Sequence, residues 1–121
     1  MKASELRILN LLHFPFTAEN VEVVGINAKE KNGKIENTIS VSTLDNIYCE
    51  KIEVFNPIPL TEGWLIRLGF EKINSTWFKL GNFRINISYD VEWSHNWMGV
   101  RLNHVHQLQN LYFALTNTEL T

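Results

Sequence analysis

The stretch NPIPLTEGWLIRLGF, residues 56–70, separates two segments whose residues alternate as they do in β-strands. Each of its prolines disfavours helix in the residue before it, so a helix is expected only after them. Thr61 is a good N-cap, and Glu62 supplies the negative charge that the first turn of a helix favours. Gly69 stands where the left-handed residue that ends a helix belongs. The sequence therefore predicts a short central helix over residues 62–68.

The residues before this stretch have the pattern of a small antiparallel sheet. An apolar run over residues 6–16 predicts a buried strand or a short helix, and its periodicity does not choose between the two. Strands are predicted over residues 21–26, 35–43 and 47–55, and the dipeptide Asn32-Gly33 is typical of a tight hairpin turn. The first half is therefore expected to be an antiparallel sheet or a partly closed barrel.

The residues after the central helix predict a second meander and a last helix. Strands are expected over residues 76–80 and 83–94, the second alternating apolar and polar side chains along its whole length. A closing strand follows at residues 100–102, and Asn103 is expected to cap a C-terminal helix over residues 104–116. The apolar stripe of that helix is Val105, Leu108, Leu111, Tyr112 and Leu115.

These elements together predict an α+β fold, an antiparallel β-meander or small barrel-like sheet with one short central helix and one C-terminal helix. With 121 residues and 45% hydrophobic composition, the chain has the size and the core of one domain, residues 1–121. The proline-containing connector at residues 56–60 is a candidate seam between an N-terminal sheet half and a helix-meander-helix half.

Charge and hydropathy argue against several classes of partner. The net charge is −2 and no run of Lys and Arg stands out, so the charge balance does not favour nucleic acid, although such binding stays open. No stretch approaches the roughly 18–20 apolar residues of a membrane span, and the first residues lack the pattern of a signal peptide. The lone Cys49 excludes an internal disulfide. We expect a cytoplasmic protein without a membrane partner or a cofactor.

A few side chains have the composition of a catalytic or metal site. His104 and His106 have ligand-like spacing, and His95, Asp90 and Glu92 lie close by in the sequence. The histidine pair, however, straddles a predicted strand-to-helix junction, where residues two apart do not share a face. Carboxylates on an alternating strand usually form its solvated face. We therefore expect no metal ligand and no catalytic residue, while the convergence of His95, His104, Asp90 and Glu92 stays open.

The candidate interface residues are His106, Gln109, Asn110, Phe113 and Trp97. The first four recur at positions i, i+3, i+4 and i+7 of the last helix, outside its apolar stripe, and they set an aromatic ring among amide side chains. Trp97 lies in a predicted turn, and core packing does not explain a tryptophan at this position. Packing of these residues against other parts of the same chain is the alternative.

Several blocks of the sequence resemble one family. They are Leu6-Arg7-Ile8, Asn56-Pro57-Ile58-Pro59-Leu60-Thr61-Glu62, Trp64-Leu65, Gly69-Phe70-Glu71 and Val105-His106-Gln107-Leu108-Gln109-Asn110-Leu111-Tyr112-Phe113-Ala114-Leu115-Thr116. In this order they resemble an uncharacterised family of small proteins from gut Bacteroidetes and their phages or mobile elements. The chain departs from that family at Leu9, where the family usually has glycine, and at His104, where it usually has an aromatic residue.

The resemblance implies a setting in a mobile element or a bacterial chromosome and carries over no catalytic residue. Together with the candidate interface, it favours a non-enzymatic binding or assembly module that contacts a protein partner or a second copy of itself. One alternative is a nucleic-acid-binding accessory protein. A second is an enzyme whose unrecognised site contains Asp, Glu and His residues.

Overall fold

The computed structural model describes residues 1–43 and 46–120. The side chains that it leaves undescribed within this part are Ala3, Lys29 and Lys31. The chain forms two compact units, Met1–Ile58 and Pro59–Thr121. Their boundary falls within residues 56–60, where the sequence places a candidate seam. That the whole chain behaves as one domain stays a prediction.

The first unit contains an antiparallel five-stranded sheet. Its strands are β1 (Leu11–Phe14), β2 (Glu19–Lys31), β3 (Lys34–Ser42), β4 (Ile47–Lys51) and β5 (Asn56–Pro57). Their spatial order is β4-β3-β2-β1-β5. Two short 3-10 helices, Ala3–Glu5 and Ile52–Val54, lie before β1 and after β4. The apolar run over residues 6–16 is thus a strand at its centre, whereas the strand predicted over residues 47–55 ends early in a 3-10 turn.

The turn predicted at Asn32-Gly33 is confirmed. Asn32 has φ 53° and Gly33 has φ 76°, and the hairpin closes with Lys31 opposite Lys34. A two-residue turn of this kind needs positive φ at both central positions, which asparagine and glycine adopt most readily. The turn therefore fixes the register of the long β2–β3 hairpin.

The core of the first unit is built from alternate strand residues and from the segment after β4. Leu12 and Phe14 of β1 are buried together with four β-branched residues of β2 and β3, namely Val21, Val23, Ile39 and Val41. The Phe14 ring lies 5.0 Å from the ring of Phe55 and 5.4 Å from that of Tyr48, centroid to centroid. Alternation along β1 thus places every second side chain in the core.

The second unit contains two α-helices and another antiparallel five-stranded sheet. The helices are α1 (Glu62–Arg67) and α2 (Val105–Thr116), and the strands are β6 (Glu71–Lys72), β7 (Trp77–Leu80), β8 (Phe83–Asn86), β9 (Asp90–Trp93) and β10 (Asn96–Arg101). The strands follow their chain order across the sheet, β10-β9-β8-β7-β6. This sheet is a simple meander.

The central helix forms as its sequence predicts. The Thr61 side chain accepts a hydrogen bond from the Trp64 backbone N–H at 3.3 Å, so it caps the first turn. At the other end, Gly69 has φ 99°, and the Phe70 N–H donates to the Leu65 carbonyl at 3.0 Å. Both ends of the short helix are therefore satisfied by local hydrogen bonds.

The single strand predicted over residues 83–94 is wrong, because the chain reverses within it. The Asn86 side-chain oxygen accepts hydrogen bonds from the backbone N–H groups of Ser88 at 2.9 Å and Asp90 at 3.2 Å. Tyr89 completes the turn with φ 63°. An asparagine that binds the backbone two residues later is a turn-forming device that competes with a continuous strand. The segment is therefore the β8–β9 hairpin.

The last helix begins one residue later than predicted. His104, rather than Asn103, is the N-cap of α2. The Gln107 side-chain oxygen accepts hydrogen bonds from the backbone N–H groups of both residues, at 2.9 Å from Asn103 and 3.0 Å from His104. Tyr112 of α2 reaches the core of the unit, where its ring lies 5.5 Å from that of Phe83.

The α+β class is confirmed, with two helices and two open sheets in the described part of the chain. The sequence allows either an antiparallel meander or a small barrel-like sheet. Over the described residues both sheets are open, and neither closes into a barrel. Among the helices that the structure describes, none is both long enough and apolar enough to cross a bilayer.

Candidate binding face of the second sheet

One row of side chains crosses all five strands of the second sheet. Register places Glu71 opposite Lys79, Lys79 opposite Arg84, Arg84 opposite Glu92, and Glu92 opposite Trp97. On β7, β8 and β9 these residues alternate with buried ones, so they lie on the side away from the core, and register places Glu71 and Trp97 on the same side. We call this side, with Trp77 on β7 and Asp90 and Arg101 at its β9–β10 end, the outer face.

Arg84 is at the centre of the outer face, and several contacts hold it there. Its Nη1 donates to Glu92 Oε1 at 3.3 Å, and its guanidinium carbon lies 4.8 Å from the ring centroid of Trp77. The side chain of Arg84 is 31% exposed and that of Glu92 is 20% exposed. An arginine stacked on an indole and paired with a carboxylate is restricted in conformation, so it presents its remaining donors in a fixed direction.

A second ion pair lies beside the first. Arg101 Nε donates to Asp90 Oδ1 at 3.4 Å. The arginine side chain is 65% exposed, whereas the aspartate is only 20% exposed. In both pairs the cation reaches further into solvent than the anion. The accessible charge over this part of the outer face is therefore more positive than the residue count suggests.

Trp97 is the most exposed aromatic side chain of the outer face, with 60% of its surface accessible. It lies on β10, an edge strand of the sheet. The pairing of β10 with β9 shifts register between Trp97 and Arg101, and such a bulge makes an edge a poor template for another strand. Contacts at this edge therefore depend on side chains more than on strand addition.

The four candidate interface residues of α2 are less accessible than the sequence suggests. His106 and Gln109 are each 1% exposed, and Asn110 and Phe113 are half-buried. Gln109 Nε2 donates to the backbone carbonyl of Leu120 at 2.9 Å, so the returning C-terminal segment takes up its amide. Packing within the chain, the alternative given above, accounts for His106 and Gln109. Trp97 is the candidate that remains fully on the surface.

The acidic and imidazole side chains considered for catalysis do not form one cluster. Asp90 and Glu92 each pair with an arginine of the outer face. His95 lies in the turn between β9 and β10, and His104 is the N-cap of α2 with its ring stacked on that of His106 at 5.8 Å. In the part of the chain that the structure describes, no three His, Cys, Asp or Glu side chains are grouped to hold a metal ion.

Sequence reasoning missed Trp77, Lys79 and Arg84 as parts of one surface. Trp77 and Lys79 lie before the β7–β8 turn and Arg84 lies after it. The sequence pattern of each strand alone does not show which residues become cross-strand neighbours. The Gly81-Asn82 turn signal between the two strands could have shown it, because it sets Lys79 opposite Arg84. The outer face thus results from the pairing of the strands.

Comparison with known proteins adds no family or relative: no family model, curated protein or solved structure matches this chain.

Proposed function

We propose that this protein is a non-enzymatic binding or assembly module that docks an acidic segment of a protein partner on the outer face. The observation that carries the proposal is Trp97, an indole 60% exposed on the edge strand β10. It shares that face with Arg84 and Trp77. Tryptophan and arginine are the residues most enriched among those that dominate binding energy at protein interfaces.

Charge complementarity points to an acidic occupant. The exposed charged side chains of the face are Lys79, Arg101 and Glu71, whereas the carboxylates of Asp90 and Glu92 are each only 20% exposed. The two exposed cations outnumber the one exposed carboxylate, so this distribution attracts a segment rich in Asp and Glu. We therefore commit to an acidic protein segment and treat self-association as an outcome of the test.

The proposed setting is cytoplasmic. The family resemblance given above supports a role in a mobile element or on a bacterial chromosome. A protein partner of this kind needs no cofactor from the module itself.

The test uses synthetic peptides of defined charge. Amide chemical shifts of the protein are followed while an aspartate- and glutamate-rich peptide carrying one leucine anchor is added, and a lysine-rich peptide of the same length serves as the control. We expect shifts on β8, β9 and β10 with the acidic peptide alone. The Trp97→Ala variant should weaken binding by at least about tenfold, as loss of a central interface tryptophan does.

The matched control is Ile87→Ala, which removes another exposed apolar side chain in the same unit, 47% accessible, from the β8–β9 turn. It should bind the acidic peptide as the parent does. Equal binding of both peptides, an unchanged affinity of the Trp97 variant, or a Trp97-dependent dimer in sedimentation would each overturn the proposal.

A nucleic-acid accessory role is the second candidate, and one observation favours it. Trp77 and Trp97 lie on the same sheet face as Lys79 and Arg84, and aromatic rings with cations between them can bind a single strand by stacking and phosphate contact. Glu71 and Glu92 in the same row oppose such binding. Salt-dependent binding of an oligonucleotide, lost in the Trp97→Ala variant, would favour this role over the first.

The enzyme alternative has the least support. A general acid or base needs a carboxylate or imidazole that can reach a substrate proton. Asp90 and Glu92 are instead engaged by Arg101 and Arg84, which fits a structural use of both carboxylates.

A further inference from the structure

A groove of about 410 Å³ lies at one end of the outer face. Its walls come from the β7–β8 hairpin, the β9–β10 turn and the segment after β6, and the lining residues are Ile73, Lys79, Gly81, Asn82, Arg84 and His95. Among the residues that the structure describes, none of those lining the groove is acidic. Its polar side chains are thus cations and groups able to donate hydrogen bonds.

The two cations of the groove are neighbours by register. Lys79 of β7 lies directly opposite Arg84 of β8. Like charges at directly opposed positions destabilise an antiparallel pair. Glu92 compensates Arg84 at 3.3 Å, whereas Lys79 has no ion pair within the described residues. Glu71 of β6 lies opposite Lys79 on its other side, but these two described residues form no ion pair, so the Lys79 charge stays available to a ligand.

Two donor nitrogens of Arg84 differ in their hydrogen bonding. Its Nη1 donates to Glu92, whereas its Nε is buried and has no hydrogen-bond partner in the described part of the chain. A buried donor without an acceptor costs free energy unless a ligand or water supplies one. The guanidinium is fixed by Glu92 and Trp77, so this donor cannot easily turn elsewhere.

His95 is held at the rim of the groove by the backbone. The Ser94 N–H donates to the Asn82 carbonyl at 3.0 Å, which ties the β9–β10 turn to the β7–β8 turn. His95 adopts φ 67° in this turn. The two connected turns thus place an imidazole and the Asn82 amide on the same groove as Lys79 and Arg84.

We propose that this groove binds a terminal phosphoryl group, the dianion of inorganic phosphate or of a phosphate monoester. Such a group carries several acceptor oxygens and a charge near −2. Lys79 supplies a charge without an ion pair, Arg84 a second cation in the groove lining, and Asn82 and His95 two further donors. The inference goes beyond the proposed function, because binding of a free phosphate needs neither Trp97 nor a protein partner.

The experiment titrates the protein with inorganic phosphate in a zwitterionic buffer, with chloride added to keep the ionic strength constant. Amide resonances of Gly81, Asn82 and His95 should shift, together with the Nε–H resonance of Arg84. In the Lys79→Gln variant the affinity for phosphate should fall by about tenfold or more, since a hydrogen bond to a charged group is lost. Lys79 is exposed, so this variant should fold.

Two controls separate a built site from general charge. Lys51→Gln removes another exposed lysine, from the first sheet, and should leave phosphate binding unchanged. His95→Asn keeps a residue that tolerates positive φ and should weaken binding by a smaller factor than the lysine variant. Equal losses in the Lys51 and Lys79 variants, or no shift at the groove, would overturn the proposal.

Three ligands identify the source of the phosphoryl group. Inorganic phosphate and O-phosphoserine should both bind in a Lys79-dependent manner, and an oligothymidylate without terminal phosphates should not displace them. Binding of the oligonucleotide alone would overturn the proposal in favour of a diester-binding surface. The Trp97→Ala variant should bind phosphate normally, so that failure of this site and failure of the partner-binding face give different results.

Discussion

The two sheets of this protein have the same number of strands and differ in the side chains of one cross-strand row. Across β2, β3 and β4, the row of Gly25, Ser40 and Cys49 consists of small side chains, and a Cβ added at Gly25 would lie 3.3 Å from that of Ser40. The corresponding row of the second sheet consists of large charged and aromatic side chains, Glu71, Lys79, Arg84, Glu92 and Trp97. Strand number and pleat are thus shared, whereas the side chains of this row differ in size and charge.

The largest expected effect tests whether both cores are equally well packed. Phe83→Ala removes a fully buried ring that contacts Phe70 and Tyr112, and it should lower the free energy of unfolding by about 3–5 kcal/mol. Phe14→Ala in the first unit removes a ring with a similar set of aromatic neighbours and should cost about as much. Urea unfolding followed by circular dichroism measures both.

A loss below about 1 kcal/mol in either variant would show that its core tolerates the cavity, and the comparison of the two sheets would then extend to their interiors. Val100→Ala, a change at an exposed position of β10, is the control that should leave the midpoint nearly unchanged.

A smaller effect separates the two kinds of turn. Asn86→Ala removes the acceptor of two backbone hydrogen bonds in the β8–β9 turn and should destabilise the protein by about 1–3 kcal/mol. Asn32→Ala in the first sheet loses only the tolerance of asparagine for positive φ, worth about 1 kcal/mol. Denaturant unfolding of the two variants should therefore rank Asn86 above Asn32, and the reverse order would contradict the role given to the Asn86 side chain.

The smallest effect compares one ion pair from each sheet. In a double-mutant cycle, Arg84 and Glu92, with side chains 31% and 20% exposed, should show a coupling near 1 kcal/mol. Lys51 and Glu36, 62% and 33% exposed at 3.5 Å, should show about 0.2–0.5 kcal/mol. Equal couplings measured at low and at high salt would remove the electrostatic part of the contrast between the sheets.

The sequence predicted local features well where short-range chemistry determines them. The Thr61 cap, the Gly69 helix end and the Asn32-Gly33 turn all form as expected, because each depends on residues a few positions apart. The reversal within residues 83–94 escaped prediction for a geometric reason. In the hairpin, Phe83 is opposite Trp93 and Ile85 is opposite Val91, so alternate residues share a face whether the chain is straight or folded back.

The candidate site was harder to predict, because it depends on which strands pair and on what covers a helix. Trp97 was found from its lack of a core role, and it is exposed. The polar character of His106 and Gln109 suggested a surface, yet both are buried, and the Gln109 amide is satisfied by the Leu120 carbonyl. A polar side chain with a backbone partner from a distant segment has no signature in the sequence around it.

All four tryptophans, Trp64, Trp77, Trp93 and Trp97, lie in the second unit, whereas the lone Cys49 lies exposed in the first. Tryptophan emission therefore comes from one unit alone, whereas tyrosine emission does not, since Tyr48 lies in the first unit. A thiol-reactive acceptor dye on Cys49 would mark the first unit at one defined point. The native sequence thus already provides a donor set and a single labelling position for energy-transfer measurements between the two units, with no residue needing to be replaced.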